Sequence, residues 1–334
     1  MGALLASLAM PHLPLMTPTA RAAEGDGRVG VAELTVEVES AIDRGLKCLA
    51  SQQNKDGSWG NQYKGAATSL SLMAFMLKGH FPKKGLYGSN VDRGIEYLLK
   101  KSAEGSGYIG SSMYEHALST LALSEAWGMS DRDEVRDALK RGVDIILRAQ
   151  ANSGGWRYDP RPTDADVSVT AMQLVALASA REAGILVPTK TIEKAVRYVK
   201  GCQVAGSGGF GYADNHSPIF SRSAAGLMSL LISGERNTPA VQKGIEYLKN
   251  LPESKFTRVS GFYMYGHYYA IQSMYQAGET HYQEWYPQIR DTLLPRQNKD
   301  GSWYAPECGD AGYGTAMAIL ILGVPYRYLP IYQR

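Results

Sequence analysis

Three ionisable side chains stand at the heads of small, apolar runs: Glu115 and His116 before Leu118 to Leu123, and Asp166 before Val167 to Ala178. A carboxylate and an imidazole brought to one place can act as general acid and base, which makes Asp166 and His116 candidate catalytic groups and Glu115 a candidate ligand contact. Asp214, His216, His267, Cys308 and Asp310 are residue types that suit zinc, but their spacing is not that of a paired-ligand motif. Zinc is therefore possible without support from a motif, and no cofactor is expected. The densest aromatic stretch, Phe262 to Tyr269, offers Tyr265, His267 and Tyr268 to a cavity, where rings would suit a hydrophobic chain or a cation. The plainer reading of such rings is core packing, and the plainer reading of Asp166 or Ser168 is a cap on the helix ending in Leu177.

The elements that must position these groups come from a repeat. The heptapeptide Gln53-Asn54-Lys55-Asp56-Gly57-Ser58-Trp59 recurs unchanged at Gln297, Asn298, Lys299, Asp300, Gly301, Ser302 and Trp303. Asn and Asp hydrogen-bond locally and Gly accepts positive φ, so the segment reads as a turn between helices. Used as a ruler, this Gly-aromatic turn gives ring positions at Trp59, Tyr108, Trp156, Phe210, Phe262 and Trp303, hence six units about fifty residues apart. Segments before the turns, such as Val91 to Leu98 and Val241 to Leu248, are amphipathic helices. Segments after them, such as Thr68 to Met76 and Thr315 to Leu322, are small and apolar on all sides and suit burial on both faces.

A register runs through the second type. Thr68, His116, Thr170, Ser223, His267 and Thr315 are each followed seven residues later by a large apolar residue. Six polar residues are thus expected at the N-terminal ends of six buried helices, on one rim, where free N–H groups and helix dipoles favour an anion or a polar headgroup. Two layers follow, charged outside and apolar inside, in an open solenoid or a closed ring. Insertions are expected around Pro188 and between Pro252 and Val259, and Pro325 and Pro330 are expected to end the last helix.

The 334 residues carry 35 basic and 32 acidic side chains with no basic block, which argues against nucleic-acid binding. Cys48, Cys202 and Cys308 lie too far apart for a disulfide framework. Residues 1–22, with an apolar run and Ala20-Arg21-Ala22, suggest a leader and hence export to the periplasm or medium, although no Lys or Arg precedes Arg21; the alternative is a cytoplasmic protein. Residues 23–32 would be a linker and 33–334 one domain. No later run is long enough to span a bilayer, and the oligomeric state is left open.

The repeat resembles that of the terpenoid cyclase and protein prenyltransferase superfamily, strongly at Gln53 to Trp59 and Gln297 to Trp303 and partly at Gln150 to Trp156. The resemblance implies an all-α, α6/α6 toroid of the squalene-cyclase-like, single-toroid kind. It also implies where an alkene-protonating Asp-x-Asp-Asp-Thr-Ala motif would stand. Alignment on Thr170-Ala171 keeps Asp166 but puts Ser168 and Val169 where two aspartates are expected, and a hydroxyl is too weak an acid for that step. Alignment on Asp164 and Asp166 restores the pair and loses Thr-Ala. The Asp-x-Cys of zinc prenyltransferases and the Gly-Cys-Gly-Glu-Gln of thioester domains are missing. The expectation is a protein that binds a hydrophobic, isoprenoid or lipid-like ligand in the toroid, with Thr170, Ser168, His267, Tyr265, Tyr268 and Glu115 as contacts. Its alternatives are an active cyclase or prenyl transferase using Asp166, Asp164, His116 or a Cys/His/Asp metal site, and a protein-interaction scaffold.

Overall fold

The computed structural model describes residues 34–326, apart from positions 131, 215, 260 and 309. The leader and linker over 1–32 and the tail beyond Tyr326 lie outside the described residues. An outer layer is formed by α1 (Val36–Ser51), α3 (Gly88–Glu104), α5 (Asp133–Arg148), α7 (Thr189–Gly201), α9 (Pro239–Asn250) and α12 (Glu279–Leu293). An inner layer is formed by α2 (Lys64–Leu77), α4 (Met113–Gly128), α6 (Val167–Glu182), α8 (Phe220–Ile232), α11 (Tyr263–Ala277) and α13 (Ala311–Leu322). Among the described residues there is no strand, only three isolated bridges.

Burial follows the two kinds of sequence. In α5 only Val135, Ala138, Leu139, Gly142, Val143 and Ile146 are buried, one stripe at helical spacing. In α2 every residue from Ala67 to Leu77 is buried. Each inner helix packs on the next in the order α2, α4, α6, α8, α11, α13, and α13 packs back on α2, so the ring closes.

The heptapeptide explains how neighbours are held. Trp59, Trp156 and Trp303 are fully buried, and their indole N–H groups donate to the carbonyls of Leu49 (2.7 Å), Ile146 (2.7 Å) and Leu293 (2.9 Å) at the end of the preceding outer helix. The glutamine amide reaches forward: Gln53 donates to Asn90 O, Gln150 to Thr191 O, Gln203 to Ala240 O and Gln297 to Ala41 O, at 2.8 to 2.9 Å. Each thus ties its turn to the next outer helix, and Gln297 ties unit six to unit one. Gly301 has φ +88°, and a Cβ there would overlap the Arg44 carbonyl; Gly45 on α1 leaves room for the Trp303 ring. Asp300 accepts from the Ser302 N–H (3.0 Å) and hydroxyl (2.7 Å), as Asp56 does from Ser58 at 3.1 and 2.6 Å.

Two expectations need correction. In unit two Ile109 takes the buried ring position, and Tyr108 instead stacks on His116 at 5.0 Å. In unit five the ring position belongs to Phe256, buried and stacked on His267 at 5.5 Å, whereas Phe262 is on the surface. The cause is the insertion after Pro252, which is not a plain loop but contains α10 (Ser254–Thr257), the short helix that carries Phe256. The last inner helix, α13, ends at Leu322, and only a 3₁₀ turn, Val324–Tyr326, follows around Pro325.

Candidate functional site

A cavity of about 1070 Å³ opens at the N-terminal end of the inner layer, over the first turns of α2, α4 and α13. Its walls are Tyr63, Ala66 and Ala67 from α2 and its cap, Ser112, Tyr114, Glu115 and Leu118 from α4, and Asp310, Gly312 and Tyr313 from α13. Gln52, Asn54, Gln62, Tyr158, Glu307 and Cys308 complete it from the loops. None of the described lining residues is Lys or Arg.

Beneath the cavity the axis is occupied by side chains. Tyr114 of α4 and Tyr265 of α11 come from helices opposite each other in the ring, and their rings lie 6.2 Å apart. Tyr269 packs on Tyr265 at 4.9 Å, and its hydroxyl reaches the sulfur of Met172 on α6. Tyr268 is buried beside Tyr269. Burial raises the phenol pKa values of Tyr114, Tyr265, Tyr269 and Tyr313, so these groups stay protonated.

The anion expected at the rim is supplied by the chain itself. Glu115 accepts the Gly65 N–H of α2 (2.7 Å) and the Ser111 N–H before α4 (2.8 Å). Asp166 caps α6 through the Val169 N–H (2.9 Å), Glu307 accepts the Tyr265 N–H of α11 (2.9 Å), and Asp310 caps α13 through the Tyr313 N–H (3.1 Å). Of the six inner helices α8 alone has neither a side-chain cap at its own N-terminus nor a carboxylate reaching it among these bonds.

The six register residues sit one layer below this rim. Thr68, Thr170, Ser223 and Thr315 accept the N–H of Trp59, Trp156, Phe210 and Trp303 at 2.9 to 3.1 Å, and His116 Nδ1 accepts that of Ile109 at 3.1 Å. All five are buried, so Thr170 and His116 join turn to helix rather than face the cavity. His116 Nε2 lies 3.0 Å from Gly142 O, and burial lowers its pKa to about 4. His267, stacked on Phe256 and with the tilted ring of Phe220 4.8 Å away, makes its bond to Lys255 O (2.8 Å), and burial lowers its pKa to about 3.

Asp166 is fully buried, 3.3 Å from Arg157 Nη1 and 3.3 Å from the Tyr212 hydroxyl that donates to it. Burial raises its pKa, opposed by the Val169 N–H and Arg157. Asp164 is exposed and pairs with Arg157 at 3.7 Å. Neither lines the cavity, and Ser168 is half-buried beside Tyr265. Among the described residues no three His, Cys, Asp or Glu side chains are grouped to hold a metal ion: Cys308 and Asp310 line the cavity, while His267 is enclosed by rings. Cys48 and Cys202 are buried.

Of the residues singled out from sequence for ligand contact, the structure places Glu115 in the cavity wall and Tyr265 at the ring contact beneath it. Tyr63, Tyr114, Tyr158, Tyr313 and Glu307 were missed. The signal available was position: each lies between a turn and the first turn of an inner helix, where the chain reaches the rim.

Similar architectures are known among solved structures. A variant of the type II terpene cyclase MstE from Scytonema, solved with geranylgeranyl dihydroxybenzoate, is 12% identical over 88% of this chain and 98% of that chain, with a TM-score of 0.61. The fold is a terpenoid-cyclase-like α/α toroid. The GH76A alpha-1,6-mannanase from Salegentibacter sp. matches at 8% identity over 86% of this chain and 98% of that one, with a TM-score of 0.64. A D-mannose isomerase matches at 14% identity over 86% and 96%, with a TM-score of 0.61. Comparison with protein-family models and with curated proteins finds no match. A terpene cyclase, a mannanase and a mannose isomerase thus resemble this chain about equally well, and the toroid does not choose between them. Among the described residues no helix is long and apolar enough to cross a membrane.

Proposed function

We propose that the protein binds an uncharged, hydroxyl-rich ligand of the saccharide class in the rim cavity. The observation that carries this reading is the lining: four tyrosines beside amides and carboxylates, with no described cation. Tyrosine faces take the C–H faces of a sugar ring, while Gln52, Gln62, Glu115, Glu307 and Asp310 can meet its hydroxyls. An anionic ligand such as a prenyl diphosphate would meet three carboxylates and no cationic side chain among the described lining residues, and Arg157, beside Tyr158, is already paired with Asp164 and Asp166. A long hydrocarbon needs depth along the axis, where Tyr114 and Tyr265 meet.

The isoprenoid or lipid-like ligand is the second reading. It is favoured by the ring-rich wall around Leu118 and by the likeness to a cyclase solved with a geranylgeranyl compound. Calorimetry with methyl α-D-mannopyranoside and with farnesol, on wild type and Tyr114→Leu, separates the two. Saccharide binding weakened in the variant supports the first reading. Farnesol binding alone, with saccharide silent, overturns it in favour of the second.

A further inference from the structure

The cavity mouth carries exposed rings that nothing in the core explains. Among the described residues eight large apolar side chains are exposed, and five of them, Tyr63, Tyr158, Ile219, Phe262 and Tyr304, stand in the segments leading into inner helices. Single exposed apolar side chains are ordinary, but concentration on the rim that holds the cavity is not. Tyr63 and Tyr158 both line the cavity and remain 64% and 46% exposed, so one surface runs from the cavity wall to solvent.

Tyr63 is also held there against its own preference. It is the N-cap of α2 with φ 48° and ψ 46°, the left-handed region that a bulky residue rarely occupies. Strain of this kind persists where the surrounding structure enforces it, and it directs this ring to the mouth. Tyr158 is fixed differently: its carbonyl accepts the Met113 N–H at the head of α4 (2.8 Å), and the Arg157 guanidinium lies 5.6 Å from its ring.

We propose that the ligand is a chain of linked sugar units, one end entering the cavity and the following units lying on Tyr63 and Tyr158, with Phe262 and Tyr304 further round the rim. This rests on the saccharide reading of the cavity and adds length to it. A single sugar would be satisfied inside the cavity, whereas ring surface that continues from its wall into solvent serves only a ligand that extends beyond it. Stacking supplies affinity without fixing sequence or charge, which suits a repeating neutral polymer.

The test is a length series of α-1,6-linked mannose oligomers, from methyl α-D-mannopyranoside to the tetramer, titrated calorimetrically into the full chain. Affinity should rise about tenfold or more with length, each ring platform being a stacking contact of about that size. Tyr63→Gly should weaken the tetramer by a larger factor than the monosaccharide, so that most of that gain is lost, and should raise the melting temperature, because glycine relaxes the left-handed backbone. Tyr63→Phe should keep the gain. A purely structural Tyr63 would give the stability change with the length dependence intact, which would overturn the proposal. Monosaccharide binding with no gain on lengthening would overturn it too, leaving the cavity reading in place. Silence of the whole series would remove the cavity reading and this proposal together.

Discussion

His116 should make the ring sensitive to mild acid. Its Nδ1 accepts the Ile109 N–H and its Nε2 donates to Gly142 O, a pattern only the neutral ring can satisfy. Protonation would set a ring N–H against the Ile109 N–H inside a fully buried turn. Burial lowers the pKa to about 4 in the folded chain, against 6.5 for a free histidine. A depressed folded pKa means the stabilisation is complete above 6.5 and is lost as pH falls towards 4. At about pH 4.5 the loss is roughly two units times 1.36, or about 2.7 kcal/mol, from this one side chain. Asp166 and Glu307, whose folded pKa values burial raises, act with the opposite sign, gaining stability as pH falls. They are common to wild type and variant, so the comparison with His116→Gln, whose amide oxygen can accept from Ile109, isolates the histidine. Urea unfolding at several pH values between about 7 and 4.5 should show the wild type losing about 2 to 3 kcal/mol more than the variant. Equal pH slopes would refute the reasoning, whatever the absolute stabilities.

Other substitutions probe the turns and the seam. Gly301→Ala places a Cβ against the Arg44 carbonyl at φ +88°, while Gly184→Ala meets nothing within 4 Å at φ +80°, so calorimetric melting should cost the first at least about 2 kcal/mol and the second about 1. Gln297→Ala removes the bonds to Ala41 O and Gly301 O; protease should then cut within α1 faster than in wild type, whereas Gln203→Ala, inside the array, should leave α1 protected. Thr170→Val leaves the buried Trp156 N–H without its acceptor and should destabilise by about 1 to 3 kcal/mol in urea unfolding.

The scaffold was legible because it repeats. A heptapeptide occurring twice, a Gly-aromatic ruler and a polar residue seven positions before a large apolar one all survive as the Gln297, Trp303 and Thr315 contacts. Where the repeat bends, sequence reasoning slipped: Ile109 replaces a ring without any glycine signal of its own, and the insertion after Pro252 brings Phe256 into the place assigned to Phe262. The site was harder still, since Tyr114 and Tyr265 are 151 residues apart by their numbers and meet only because units two and five face each other across a closed ring.

That closure also decides what the rim can bind. Helix N-termini converging on one rim create a demand for negative charge, and a chain that left it unmet would present an anion site there. Here Glu115, Asp166, Glu307 and Asp310 meet it through backbone N–H groups of α2, the head of α4, α6, α11 and α13. A second anion brought into the cavity would compete with carboxylates already holding those donors and would repel them across a low-dielectric space. On the proposed reading, the bonds that serve these five inner helices would also disfavour a phosphate-bearing ligand in the cavity, and α8, which has no such bond, lies away from its walls. Glu115→Ala should therefore both loosen α2 against α4 and relax the exclusion of anions. Nuclear magnetic resonance titration with inorganic phosphate checks the second effect: shifts at Gly65 and Ser111 in the variant, and none in wild type, are expected, whereas the same weak response in both would show that the caps do not set the charge preference of the rim.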